Sequence, residues 1–296
     1  MMCDSVRAGP GPWRRRPDRP EGAALGARTQ SLAPQRLTSR RVESPTWAAT
    51  WCRDADRLGC MDAASYLRHF RRELDAFAAC LAVGDLDTPI EHGDSADDLA
   101  ELAAVVGSAN LFAAAAVSDW DGRPEPPDGT PPVVPEERAE LIRWIDGTGE
   151  VLLMALDTDA TSPAWGFYTP PNVGHWQRSC SVSMMLWRWD AERATGVAAP
   201  MDPQLAGAGI AEVFEVLAPR QIGRGKAWPP DACVRLDATD TGDWWVFGPG
   251  DPVAEIAGSA EDLLLLLRGR RTPHDPVFAW TGDRDSALSV LKGPLA

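Results

Sequence analysis

From Met61 onward, apolar side chains recur at steps of three and four, the period of a helix face turned toward a core. Leu67, Phe70, Leu74, Phe77 and Leu81 form the first stripe and predict a helix over about 62–83, with Asp62 able to cap its start and Gly84 to end it. His69 lies beside this stripe and reads as a surface or core-edge residue. Leu99, Leu102, Val105, Val106, Ala109 and Phe112 build a second face over about 95–117, opened by Ser95 and Asp98 as a capping-box-like pair. A Pro-rich loop over 122–135 precedes a third helix, 135–156, with Leu141, Trp144, Ile145, Val151 and Leu152 facing inward. The fourth helix, 172–192, has Asn172 as its N-cap and Gly196 beyond its end. Asp202 and Pro203 start a fifth, to about 217.

The pattern then changes period. Residues 218–231 are rich in Gly and Pro and read as a linker. Cys233–Ala238 and Trp244–Phe247 read as strands around the turn 240–243, 252–257 as a third strand and 277–280 as a fourth. Ser259 caps a helix between the last two, with Glu261 and Asp262 in its first turn, and a short helix ends the chain. Residues 1–60 show no period and read as a disordered N-terminal extension.

Charge sharpens this division. Residues 1–60 hold eleven Arg against six acidic residues, whereas the rest carries 18 basic and 37 acidic ones, within a net charge of −14. An acidic body of this kind lacks the basic face that nucleic acid requires. Every purely apolar run is far short of the about 20 residues a membrane span needs; Leu263 to Leu267, for instance, is five leucines. No h-region follows the N-terminus, so the expectation is a cytoplasmic protein, bound to neither membrane nor nucleic acid. The six cysteines are scattered without a CxxC pair, which argues against a disulfide framework or a zinc ribbon.

The fourth helix carries the candidate chemistry. Trp176, Cys180, Ser183 and Trp187 follow at spacings of four, three and four and share one face. The helix ends in Arg188-Trp189-Asp190-Ala191-Glu192. This stretch resembles the signature helix of the mycothiol-dependent maleylpyruvate isomerase family, part of the DinB-like group of metal-binding helical bundles. The run 259–271, with its leucines and Arg268-Gly269-Arg270-Arg271, is similar to that family's small C-terminal domain. The resemblance covers about Met61 to the C-terminus. It implies an α+β chain, a DinB-like up-down four-helix bundle followed by a small α+β domain. Residues 61–217 would form the bundle, 218–231 the linker and 232–296 the C-terminal domain.

The resemblance also implies a divalent metal held by two histidines and a glutamate, which activates a thiol cofactor, mycothiol, for attack on an electrophilic substrate. Three protein ligands and one open position suit such catalysis. Carried onto this chain, the three ligand places read Val105, Ser183 and Trp187, a degenerate site, so neither metal nor cofactor is expected. An aliphatic side chain offers no donor, a serine hydroxyl is a poor one, and an indole presents only an N–H. Candidate substitutes are His92, His175, Cys180, Asp190 and Glu192. Cys180 and His175 make a conceivable nucleophile and base, though a spacing of five turns them about 140° apart. A structural cysteine is the plainer reading of Cys180. Trp165 and Tyr168, in the aromatic loop before the helix, either line a pocket mouth or close the core. Two functions follow. One is a non-catalytic small-molecule-binding or regulatory homologue that has lost its metal. The other is an active thiol-dependent isomerase or S-transferase with substitute residues.

Overall fold

A computed structural model describes residues 61–91, 96–123, 125–127, 130–167 and 171–295. The extension 1–60, the candidate substitute His92, the expected cap Ser95 and the pocket candidate Tyr168 lie outside these residues. Four long helices come first: α1 (Ala63–Val83), α2 (Leu99–Ser118), α3 (Arg138–Leu156) and α4 (Val173–Thr195). Then follow α5 (Pro203–Glu212), a π-helical turn (Val213–Leu217) and α6 (Ala218–Gly223). A four-stranded sheet of β1 (Cys233–Ala238), β2 (Trp244–Phe247), β3 (Pro252–Gly258) and β4 (Ala279–Gly282) closes the fold with α7 (Ala260–Leu267) and α8 (Arg284–Leu295). Its order is β2-β1-β3-β4, with β1 parallel to β3 and the outer pairs antiparallel. The α+β architecture is therefore a four-helix bundle followed by a small mixed sheet with its own helices.

Capping sets the helix starts. Asp62 accepts from Ser65 N and Asn172 from His175 N, each satisfying an otherwise unpaired donor of a first turn. In α2 the capping box sits further along than expected. Asp98 accepts from Glu101 N at 2.9 Å, while Glu101 reaches back to Asp97 N at 2.7 Å. Helix α3 begins after Glu137 rather than at Pro135, and Val151, expected inward, is 42 % exposed.

The poles of the bundle fix its directions. Arg138, at the start of α3, donates to the carbonyls of Leu81 and Gly84 at the end of α1. Gly84 also lies against Leu99, the start of α2, and Thr195, the end of α4. So α1 and α4 run one way, α2 and α3 the other. A side chain at Gly107 would strike the Trp144 ring at 2.2 Å, so the missing Cβ is what lets α2 and α3 close together. Helix α2 is long and apolar enough to cross a bilayer by length and composition, yet half of that window is buried inside the bundle.

Helix α4 serves two cores. Trp176, Cys180, Met184, Trp187 and Ala191 face the bundle core beside Phe70, Phe77 and Leu102. Val182, Met185, Leu186 and Trp189 face a second core formed with α5, the sheet, α7 and α8. Where a linker was expected from residue 218, the helix continues through the π turn into α6. Pro219 explains the turn. It has no N–H, and its ring presses on the carbonyl four residues back, so the preceding turn widens and Ala218 N bonds Val213 O instead. Strand β4 starts two residues later than its apolar run suggested, because pairing with β3 places Ala279 opposite Ala257 and Gly282 opposite Ala254. At the end of β2, Gly248 has φ 108°, and a Cβ there would come within 1.9 Å of the Ala232 carbonyl oxygen.

Candidate functional site

Helices α2 and α4 run antiparallel, and Phe112 meets Trp176 with ring centroids 6.2 Å apart. Val105 lies seven residues before Phe112, and Ser183 seven residues after Trp176. Two turns return each to within about 20° of its neighbour's face and about 10.5 Å along the axis. Val105 and Ser183 are thus level across the α2–α4 seam, and Trp187 sits one turn further along the α4 face. Ser183 and Trp187 are buried, and Val105 packs half-buried against the same core.

These three residues do not fit a divalent ion. Val105 has no lone pair, the neutral Ser183 hydroxyl binds a cation weakly, and the Trp187 indole occupies volume without offering a donor atom. Among the described residues, no three His, Cys, Asp or Glu side chains converge as a metal site.

The substitute pair fares no better. Cys180 is buried, and burial together with the charge of Glu212 pushes its thiol far above the ordinary value, so it stays protonated. Burial, then the charge of Arg178, pulls the imidazole of His175 below its ordinary value. His175 belongs to the other side of α4, near Arg178, which pairs with Glu215 of the π turn at 2.7 Å. The geometry does not bring Cys180 and His175 together as nucleophile and base.

In the aromatic loop, Trp165 packs edge-on against Phe112 at 5.7 Å and Phe167 at 4.5 Å. Its carbonyl accepts from the Trp176 indole at 2.5 Å, and its own N–H bonds the Ala116 carbonyl at the end of α2. Arg220 of α6 lies over the Phe167 ring at 3.7 Å. Trp165 therefore closes the lower end of the bundle core.

The Arg-Trp-Asp-Ala-Glu run is a junction of buried charges. Arg188 donates to Glu73 of α1 at 2.7 Å, to Glu192 at 2.6 Å and to the Ala199 carbonyl at 2.7 Å. Glu192 also accepts from Ala199 N at 2.8 Å, which ties down the chain leaving α4. Asp190 grips Arg270, just beyond α7, through two bonds of 2.8 and 2.5 Å. Trp189 packs into the second core with Arg193 beside its ring. Sequence reasoning missed Glu73, yet a signal was there: it stands three residues after Phe70 and four before Phe77, a charge inside an apolar stripe. Glu212, buried near Arg178, had no such signal, because the helix it ends is too short for a clear period.

No family model matches the chain, and no curated protein sequence matches it. Two solved structures do share its fold, a mycothiol-dependent maleylpyruvate isomerase and a histidine-to-alanine mutant of that enzyme. Each superimposes with a TM-score of 0.53 at 15 % identity, over 76 % of this chain and 96 % of the other. At that identity the likeness is one of fold: this chain has the architecture of the maleylpyruvate isomerase bundle with its small α+β partner.

Proposed function

We propose that this chain is a maleylpyruvate isomerase-like protein that has lost the metal triad and acts in the cytoplasm as a non-catalytic small-molecule-binding or regulatory protein. One observation carries the reading. Where the resemblance assigns three metal donors, Val105, Ser183 and Trp187 present no strong donor and a ring that takes up the space. The surviving Arg188, Asp190 and Glu192 support it further, because each is engaged in holding helices together. Mycothiol and a divalent metal are family expectations that these residues do not meet, and no reaction step is assigned to either. The acidic body favours a small molecule over nucleic acid as partner.

The alternative, a thiol-dependent enzyme with substitute residues, needs an ionisable nucleophile, and Cys180 is protonated and buried. The test is elemental analysis of the purified chain, followed by a maleylpyruvate isomerisation assay with added thiol. Less than a tenth of a metal ion per chain and no turnover above the thiol alone are expected. Stoichiometric zinc, nickel or manganese overturns the reading, and so does thiol-dependent turnover.

A further inference from the structure

The sheet is covered on one side only. Leu236, Trp245, Phe247 and Ile256 alternate inward and share the second core with α5, α7 and α8. The residues between them point the other way. Strand register sets Val246, Arg235, Glu255 and Thr281 in one row across the four strands. The neighbouring row holds Trp244, Asp237 and Ala257. All of these are half-buried or exposed. Arg235 is already engaged, donating to Asp237 at 2.6 Å and lying over the Trp244 ring at 4.7 Å. Glu255 beside it is exposed and makes no salt bridge among the described residues. Asp243 before β2, Asp251 before β3 and Asp283 after β4 add negative charge at the rim. The open face is thus partly apolar and acidic on balance.

The same chain carries a segment of opposite charge. Residues 1–60 hold eleven Arg against six acidic residues, and their densest basic run is Trp13-Arg14-Arg15-Arg16-Pro17-Asp18-Arg19. The segment joins the described residues at Met61, which is buried in the second core beside the sheet. Residues 20–60, between the run and Met61, can span more than about 100 Å when extended, so chain length does not keep the run from the open face.

We propose that the run Trp13–Arg19 docks on the open sheet face of its own chain. Its guanidiniums meet Glu255 and the aspartates of the rim, and its indole lies against Val246 and Trp244. Exposed ion pairs are individually weak, but tethering makes the contact intramolecular, at an effective concentration on the order of millimolar. Face-to-face pairing of two copies is disfavoured, because it sets Glu255 and the rim against like charges. The inference does not depend on the metal reading above.

Photo-crosslinking of the full chain tests this. The photoreactive residue p-benzoylphenylalanine replaces Val246 in one sample and Thr281, exposed at the opposite edge of the same row, in another. Each is irradiated as an equal mixture of unlabelled and nitrogen-15-labelled chains, and the adducts are mapped by mass spectrometry. Intrachain adducts to residues 1–20 are expected. Their yield should fall at least about threefold in 1 M salt, where the screening length drops to about 3 Å. Glu255→Arg should lower it by a similar factor. The same probe at Met154, exposed on the outer side of α3, should give less than about a tenth of the yield. If the Val246 replacement fails to fold, the Thr281 sample decides alone. Adducts confined to other segments, or none at all, overturn the proposal. So do isotope-mixed adducts, which mean that a second copy is the occupant, and a yield indifferent to salt and to Glu255→Arg or matched by the Met154 probe.

Discussion

Glu73 and Arg188 make the most exacting test of how this molecule is held together. Both are buried, and they meet at 2.7 Å between α1 and α4. Replacing Glu73 with Ala leaves a guanidinium in the core without its buried partner. Breaking a buried pair in this way costs about 3–5 kcal/mol. Arg188 keeps Glu192 and the Ala199 carbonyl, so the low end, about 3 kcal/mol, applies here. For a folded part of this size that is a fall in Tm of about 6–12 °C. The assay is urea denaturation of parent and variant followed by circular dichroism, with the free energy taken from midpoint and slope. The double variant Glu73→Leu/Arg188→Met removes both charges and should cost less than Glu73→Ala alone. A Glu73→Ala variant within 1 kcal/mol of the parent would refute the reasoning, as would a double variant worse than the sum of its singles.

Three further outcomes are expected. Val105→His, Ser183→Glu and Trp187→His together should create stoichiometric zinc binding, measured by elemental analysis after dialysis; a triple variant that folds but holds no metal would mean that these positions do not converge. Gly107→Ala drives a methyl into the Trp144 ring and should destabilise by about 1–3 kcal/mol in the same urea titration. Burial holds His69 and His175 below the ordinary imidazole value of 6.5, so the unfolded chain takes up protons that the folded chain refuses. Stability attributable to them should therefore be complete above that value and decline as the pH falls through and below 6.5, with a shallower slope in His175→Gln, read from urea midpoints across the range.

The sequence alone determined what depends on neighbours within a few turns. Asp62, Asn172 and Ser259 cap α1, α4 and α7 because a side-chain oxygen three residues before a free N–H needs no tertiary help. The ranges of β1 and β2 were legible because apolar and β-branched residues around a Gly turn encode a hairpin locally. The positions of Val105, Ser183 and Trp187 on inward helix faces followed from period alone.

Only the tertiary structure decided which groups meet across long separations. Glu73 lies 115 residues from Arg188, and Arg270 lies 80 from Asp190. No spacing rule pairs them, because their encounter depends on how helices cross. The same holds for helix direction. The long connection 119–137 returns the chain from the end of α2 to the pole where α3 starts beside Gly84, which lets α2 and α3 run parallel, and its length alone does not encode that choice. Val151 differs for a related reason, since an apolar side chain near the edge of a helical stripe is buried only if a neighbouring element reaches over it, and among the described residues it stays 42 % exposed. The continuation through Pro219 was hidden likewise, because proline stops a regular helix locally and only packing on the second core holds the widened turn in place.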